Sequence, residues 1–342
     1  MERSLLFEKK SDGLVICGVC QHRCVILPGK TGFCRNRLNR EGELVRLHED
    51  SLSAAAVDPI EKKPLFHFHP GSKVFSLGGI GCNFRCRHCQ NWNISQSNSA
   101  TGEFLSPDEA VDLAIRENCA GMAWTYNEPT VWLEYALAGM RKAKENGLYT
   151  VFVTNGYLTP EALDLLGPHL DAFRVDLKGF GDRAYRELCR IPSWRGILDA
   201  TLSAKKKWGM HVEAVTNLVP TINDDERELA SLAGWIFENL GEKTPWHLTR
   251  FHPCHELSHL APTPVSAIED ACRIGKEAGL KFVYTGNLFG SPHENTLCPG
   301  CGRLVLERTN YRFLNRGSDR EGNCSHCGED LAIAGKMKIS PP

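Results

Sequence analysis

The chain has 342 residues, 42% hydrophobic and 24% charged, the profile of a soluble globular protein with room for one large domain and small appendages. A formal net charge of −1 gives no electrostatic footprint for nucleic acid or an anionic membrane. The sequence has no run of about 18 apolar residues and no apolar core in Met-Glu-Arg-Ser-Leu-Leu-Phe, so a cytoplasmic protein without nucleic-acid or membrane partners is expected.

Fifteen cysteines in such a compartment argue for metal and cluster ligation rather than disulfides. Residues 1–70 read as a cysteine-rich segment and connector. Cys17, Cys20, Cys24 and Cys34 fall in a glycine-bearing stretch too small for a core of its own, a metal-stapled pattern that suits zinc or an auxiliary iron-sulfur cluster. The connector 54–70 contains three prolines, which forbid a long helix. His67 and His69 alternate there with Phe66 and Phe68, which predicts a half-exposed extended strand.

Residues 71–290 alternate between apolar runs and amphipathic stretches. Strands are predicted at 73–80, 121–126, 149–154, 172–177, 211–219, 246–251 and 281–285, and helices at 107–118, 130–146, 160–167, 182–207, 225–240 and 264–279. Ser106-Pro107-Asp108-Glu109 and Thr159-Pro160-Glu161 each supply an N-cap, a proline at the first helical position and acid in the first turn. The alternation predicts an α/β fold, a parallel sheet closed or partly closed into a TIM-type barrel, whose chemistry sits at the C-terminal strand ends.

The first predicted strand runs into Gly81-Cys82-Asn83-Phe84-Arg85-Cys86-Arg87-His88-Cys89. Three thiolates on one short loop hold three corners of an iron-sulfur cube and leave the fourth iron open. The alternative is a zinc knuckle completed by His88 or a distant cysteine. At later strand ends, Asp176 and Lys178 lie two apart and project to one side. Arg250 and His252 also alternate, are unlikely core fillers, and are the candidates for substrate contact inside the barrel. Residues 291–342 carry Cys298-Pro-Gly-Cys301 and Cys324-Ser-His-Cys327 around a hairpin-like stretch, a zinc-ribbon signal with rubredoxin-type iron as the lesser alternative.

The C-x3-C-x2-C loop after a first strand resembles the cluster loop of the radical S-adenosylmethionine (radical SAM) superfamily. The resemblance implies a partial barrel, a 4Fe-4S cluster on Cys82, Cys86 and Cys89, S-adenosylmethionine on the open iron, and reductive cleavage to a 5'-deoxyadenosyl radical. His88 stands where an aromatic residue is usual. Tyr126-Asn127-Glu128-Pro129 resembles the Gly-Gly-Glu-Pro turn that binds the methionine amino group, and Thr130 is an N-cap candidate after it. Val153-Thr154-Asn155-Gly156 and Asp176-Leu177-Lys178 look like Asp-Thr-Asn-Gly and Asp-Leu-Lys segments of glycyl-radical-enzyme activases such as the pyruvate formate-lyase activating enzyme. By that likeness Tyr126, Asn127, Glu128, Thr154, Asn155, Asp176 and Lys178 bind the cofactor. The order of segments resembles the radical SAM enzymes of the AmmeMemoRadiSam system, which implies an electron donor such as ferredoxin or flavodoxin and partners with AMMECR and Memo domains. The competing class is a non-catalytic, zinc-stapled binding or scaffold protein.

Overall fold

The apolar runs assemble into one eight-stranded sheet whose strands lie side by side in chain order. They are Ala54–Pro59 (β1), Lys73–Gly78 (β2), Gly121–Trp124 (β3), Tyr149–Thr154 (β4), Ala172–Asp176 (β5), His211–Leu218 (β6), Trp246–Arg250 (β7) and Val283–Gly286 (β8). The computed structural model of the chain describes residues 3–48, 50–96, 101–288 and 290–337. β2 to β8 are parallel, and β1 pairs antiparallel with β2, Ala54 opposite Gly78 and Pro59 opposite Lys73. Parallel neighbours need crossovers, and the amphipathic stretches supply them. Among the described residues β8 pairs only with β7, so the sheet is an open, partial barrel.

Burial on both faces explains why these strands read as continuous apolar runs: Phe152, Phe173, Val175, Ala214 and Leu248 are all fully buried. The predicted caps form. Ser106 Oγ accepts from the Glu109 N–H and the Glu109 carboxylate accepts from the Ser106 N–H at 3.0 Å, while Thr159 accepts from the Ala162 N–H at 3.1 Å.

Three expectations are corrected. The stretch 182–207 is two helices, Asp182–Cys189 and Arg195–Lys206. Arg190 turns left-handed at φ 58°, and Pro192 cannot continue a helix. Thr130 is not a helix N-cap; Glu128 caps the 3-10 turn Pro129–Trp132 that leads into Leu133–Glu145. His67 is not half-exposed but fully buried, because the connector beyond β1 packs into the barrel base instead of running along its surface.

That base is a polar network. Both oxygens of buried Glu213 on β6 accept from the connector, from the N–H groups of Phe66 (3.0 Å) and His67 (2.8 Å), and from the rings of His247 (2.7 Å) and His211 (2.9 Å). His67 bonds the Tyr284 hydroxyl of β8 at 2.6 Å and the Leu331 carbonyl at 2.8 Å. The C-terminal segment closes it from the other side. Its strands Thr296–Leu297, Leu304–Thr309 and Arg312–Asn315 form an antiparallel sheet, and buried Arg308 reaches from it to donate to the Phe66 carbonyl at 2.7 Å with its guanidinium over the Phe66 ring.

Burial pushes the His67 imidazole down to about 3. Burial would push Glu213 up, but the His211 and His247 hydrogen bonds outweigh it and hold the carboxyl well below its ordinary range. An unfolded histidine takes its proton near pH 6.5, so the fold loses stability as pH falls from there toward 3, by up to about 1.4 kcal/mol per pH unit for one proton. Glu213 adds a loss below about pH 4.5. The thermal midpoint of the intact protein should therefore drop between pH 6.5 and 4.5, and His67→Gln should flatten that drop; an unchanged slope in the variant would refute the assignment.

Candidate active site

Side chains from every strand end converge on one open cavity of about 480 Å³. The cluster loop forms one wall: Cys82, Cys86, His88 and Cys89 all line it. The loop has little structure of its own, and polar side chains from neighbouring strand ends fix its backbone. Asn127 accepts from the Gly79 N–H (3.1 Å) and donates to the Gly81 carbonyl (2.7 Å). Asn155 Nδ2 donates to Asn83 Oδ1 at 2.7 Å, and Asn91 donates to the Tyr126 carbonyl at 2.7 Å. The broken helix 182–207 supplies the other side, where the N–H groups of Arg85 and Arg87 donate to the carbonyls of Cys189 and Leu188. The Phe84 N–H points at Cys82 Sγ at 3.3 Å, a backbone donor to sulfur.

Glu128 sits behind this wall, buried and fully engaged. It accepts from the Thr130 hydroxyl (2.6 Å) and N–H (3.1 Å), the Thr154 hydroxyl (2.7 Å) and the Asn155 N–H (2.7 Å). Burial raises its pKa despite these donors. It ties the ends of β3 and β4 together while still lining the cavity.

β5 and the turn after it bring Arg174, Asp176 and Lys178, alternate residues on one side of the chain, to the same cavity. Asp176 pairs with Arg174 and, at 3.0 Å, with Lys178. Two cations share one carboxylate, so the group faces the cavity with one net positive charge, and Arg174 Nε has no partner. Burial would raise Asp176, but Arg174 and Lys178 outweigh it; burial would lower Lys178, but Asp176 holds it protonated. Burial also drives His88 down to about 3, so its ring is neutral at pH 7, and its Nδ1 lacks a partner.

From the connector, buried Lys63 pairs with Asp58 at 2.7 Å, and Asp58 accepts from the Tyr126 hydroxyl at 2.7 Å. Burial brings Lys63 down to about 8. Tyr311, at the turn of the C-terminal hairpin, reaches the cavity rim.

The cavity thus gathers Cys82, Cys86, Cys89, Tyr126, Asn127, Glu128, Asn155, Asp176, Lys178 and His252. It does not include Thr154 or Arg250. Thr154 lies beyond the inward-facing Val153 and acts through Glu128. Arg250 is on the opposite side of β7 from the inward His247 and Thr249, and its Nε donates to the Thr263 carbonyl at 2.7 Å. The expectation that Arg250 and His252 both face the interior is therefore corrected. The strand ends at Arg250, and His252 reaches the cavity from the following loop. Arg174 and His247 were missed. The period-two pattern Arg174-Val-Asp176-Leu-Lys178 signals the first; His247, between Trp246 and Leu248, reads as part of an apolar strand.

The C-terminal cysteines form a separate centre. Among the described residues, only Cys298, Cys301, Cys324 and Cys327 bring three or more metal-ligating atoms all within 4.8 Å of one another. The Sγ pairs Cys298–Cys327 and Cys301–Cys324 stand 3.5 and 3.8 Å apart, the spacing of thiolates on one tetrahedral ion with bonds of about 2.3 Å. Cys82, Cys86 and Cys89 are more widely set, which suits the corners of a cluster better than one ion.

The Radical SAM superfamily model matches residues 77–233, from the end of β2 into the helix Glu226–Leu240 after β6. An uncharacterised protein of Methanocaldococcus jannaschii is 41% identical over 337 residues, covering 97% of this chain and 99% of that one. The isethionate sulfite-lyase activating enzyme of Nitratidesulfovibrio vulgaris is 24% identical over 163 residues, 47% of this chain and 53% of that enzyme. A solved domain of a pyruvate-formate lyase-activating enzyme from Bacteroides vulgatus overlaps 49% of this chain and 99% of its own, with 15% identity and a TM-score of 0.43. Through residues 77–233 the chain carries a radical SAM domain.

The C-terminal centre generates a prediction of its own. A segment this small lacks the buried area for a core of its own, and an ion on these four cysteines would supply what holds it folded. Cys298→Ala should lose one metal equivalent and open residues beyond about 295 to protease, while metal at Cys82, Cys86 and Cys89 stays bound; a protease-resistant tail in that variant would contradict a structural role.

Proposed function

We propose that the protein is an activating-enzyme-like radical SAM enzyme, with a 4Fe-4S cluster on Cys82, Cys86 and Cys89 and S-adenosylmethionine in the cavity beside it. The observation that carries this reading is the cavity itself: three widely set thiols, and with them a buried cationic group with one unpaired donor, Arg174 Nε. The cluster, when bound, supplies the single electron that cleaves S-adenosylmethionine to methionine and a 5'-deoxyadenosyl radical. The chain's own part is to hold, orient and exclude water.

Its residues divide that work. Asn127, Asn155 and the carbonyls of Leu188 and Cys189 keep the loop in place, so the thiolates meet the metal with little reorganisation. The excess positive charge of Arg174 and Lys178 is matched to a ligand carboxylate, and the charge-assisted bond gains strength in a buried site. Glu128 fixes the β3 and β4 turns against which an amino group would rest. His252, exposed at the mouth, and Tyr311 stand where a substrate enters. Thr154 is a positioning residue, and Arg250 has no place in the chemistry of this cavity. The Cys298, Cys301, Cys324 and Cys327 centre suits zinc.

The substrate is a protein or small molecule that surrenders a hydrogen atom. The order of motifs supports membership of the AmmeMemoRadiSam system, with a ferredoxin or flavodoxin as electron donor and AMMECR-domain and Memo-domain proteins as partners. The relation to activating enzymes supports hydrogen abstraction from a polypeptide partner.

Anaerobically reconstituted protein should cleave S-adenosylmethionine to methionine and 5'-deoxyadenosine once reduced, and replacing Cys82, Cys86 and Cys89 by Ala should abolish the reaction. Undiminished turnover in that triple variant would remove the basis of the proposal. Lys178→Met should leave iron content unchanged and weaken S-adenosylmethionine binding about tenfold or more, the loss of one charge-assisted hydrogen bond. Parallel loss of iron would make Lys178 structural instead. Arg250→Ala should leave that binding unchanged.

A further inference from the structure

Cys17, Cys20, Cys24 and Cys34 surround a small, partly enclosed cavity of about 10 Å³. Cys17, Cys20 and Cys34 are buried and Cys24 is half-buried. A single zinc ion draws its thiolates to about 3.8 Å of one another, and the C-terminal centre of this chain shows that spacing. The N-terminal thiols do not: no three of them meet within 4.8 Å. They stand around a hollow, as ligands at the corners of a cube do.

A second observation concerns charge. Arg37 lies on the cavity wall, fully buried, paired with Glu134 at 2.7 Å, and its Nε has no hydrogen-bond partner. A cluster closed by four thiolates carries excess negative charge whether oxidised or reduced; Glu134 already balances the Arg37 charge, and what Arg37 adds on this wall is an unused N–H that can donate to sulfur.

The third is position. Gly81, one residue before Cys82, has φ 86°, and a Cβ there would fall 2.6 Å from the Cys34 carbonyl oxygen. The two cysteine loops therefore touch, and glycine is required for the approach. His22, between Cys20 and Cys24, donates from Nε2 to the Asn83 carbonyl at 2.7 Å. Its ring stacks on Phe33 with centroids 4.4 Å apart, and the Arg85 guanidinium lies over the same Phe33 ring at 4.6 Å.

We propose that Cys17, Cys20, Cys24 and Cys34 hold a second 4Fe-4S cluster, closed by four thiolates, that passes electrons to the site at Cys82, Cys86 and Cys89. The relay rests on the reading of that site given above; the occupancy of the N-terminal cavity does not. With no open corner, the second cluster has one-electron transfer as its chemistry. One electron enters from a reduced low-potential carrier of the ferredoxin or flavodoxin class, which is oxidised by one. The same electron then leaves for the first cluster, and no atom or proton is transferred.

The test is an iron, sulfide and zinc count on the full chain after anaerobic reconstitution, with electron paramagnetic resonance of the dithionite-reduced protein. Two clusters and one ribbon ion give about eight iron and one zinc per chain. The Cys82, Cys86 and Cys89 triple Ala variant should keep about four iron and a reduced-cluster signal that S-adenosylmethionine does not shift. A wild-type count of about four iron and two zinc, or a triple variant that holds zinc but no iron, overturns the proposal. The wild-type count stands even where a variant misfolds. Failure of the first site looks different: about four iron in wild type, all retained in the triple variant.

For the relay, Cys17→Ser with Cys20→Ser should cut cleavage driven by reduced flavodoxin about tenfold or more and cleavage driven by titanium(III) citrate about twofold or less. Equal loss with both reductants, or no loss with flavodoxin, overturns the relay.

Discussion

A coordination site with an open corner imposes a constraint that a closed one escapes. In the cluster site proposed for Cys82, Cys86 and Cys89, three thiolates must be held in place by something other than a fourth protein ligand. Here the holding is done by polar side chains of the strand ends. Asn127 bonds the backbone on both sides of Ile80, Asn155 fixes Asn83, and the helix ending at Cys189 offers two carbonyls to Arg85 and Arg87. Each of these groups would be costly to bury without a partner, so loop and barrel mouth specify one another. Glu128 extends the same arrangement one layer deeper by joining the turns after β3 and β4.

The base of the barrel answers a different demand. An open sheet leaves polar interior positions, and Glu213, His211 and His247 would be unfavourable there alone. The connector and the C-terminal segment complete them, with Phe66 and His67 donating to Glu213 and Arg308 donating to Phe66. The C-terminal segment is therefore more than an appendage. Through Arg308 it reaches the base, and through Tyr311 it reaches the mouth. His247 belongs to both regions, since its ring bonds Glu213 and also lines the cavity.

Much of this was legible in the residues. All seven parallel strands lie where the apolar runs placed them, because strands buried on both faces cannot hide among polar residues. The cysteine loop is local in sequence and so was fully visible. What escaped has long-range causes. His67 finds its partners, and Glu213 two of its four, more than a hundred positions away, a pairing that local sequence does not show. Arg250 was misplaced because it shares the register of Trp246 and Leu248, whereas the cavity takes the alternate register, His247 and Thr249, and His252 reaches the mouth only because the strand ends at Arg250. Thr154 rested on likeness to a family segment, and in the structure its hydroxyl bonds Glu128, while Asn127 and Glu128 line the cavity and also direct hydrogen bonds to the protein itself. The break at Arg190 was readable from Pro192, and with it the carbonyls that steady the cluster loop.

The central claim is that the barrel mouth is built to carry a cluster with one free iron beside a cationic group. A crystal structure of the anaerobically reconstituted protein with S-adenosylmethionine tests it most directly. The account predicts a four-iron cube on Cys82, Cys86 and Cys89, with the amino and carboxylate groups of the cofactor on the fourth iron and the carboxylate toward Lys178 and Arg174. A single metal ion completed by His88 or another protein ligand at those cysteines, with no cofactor in the cavity, would contradict it.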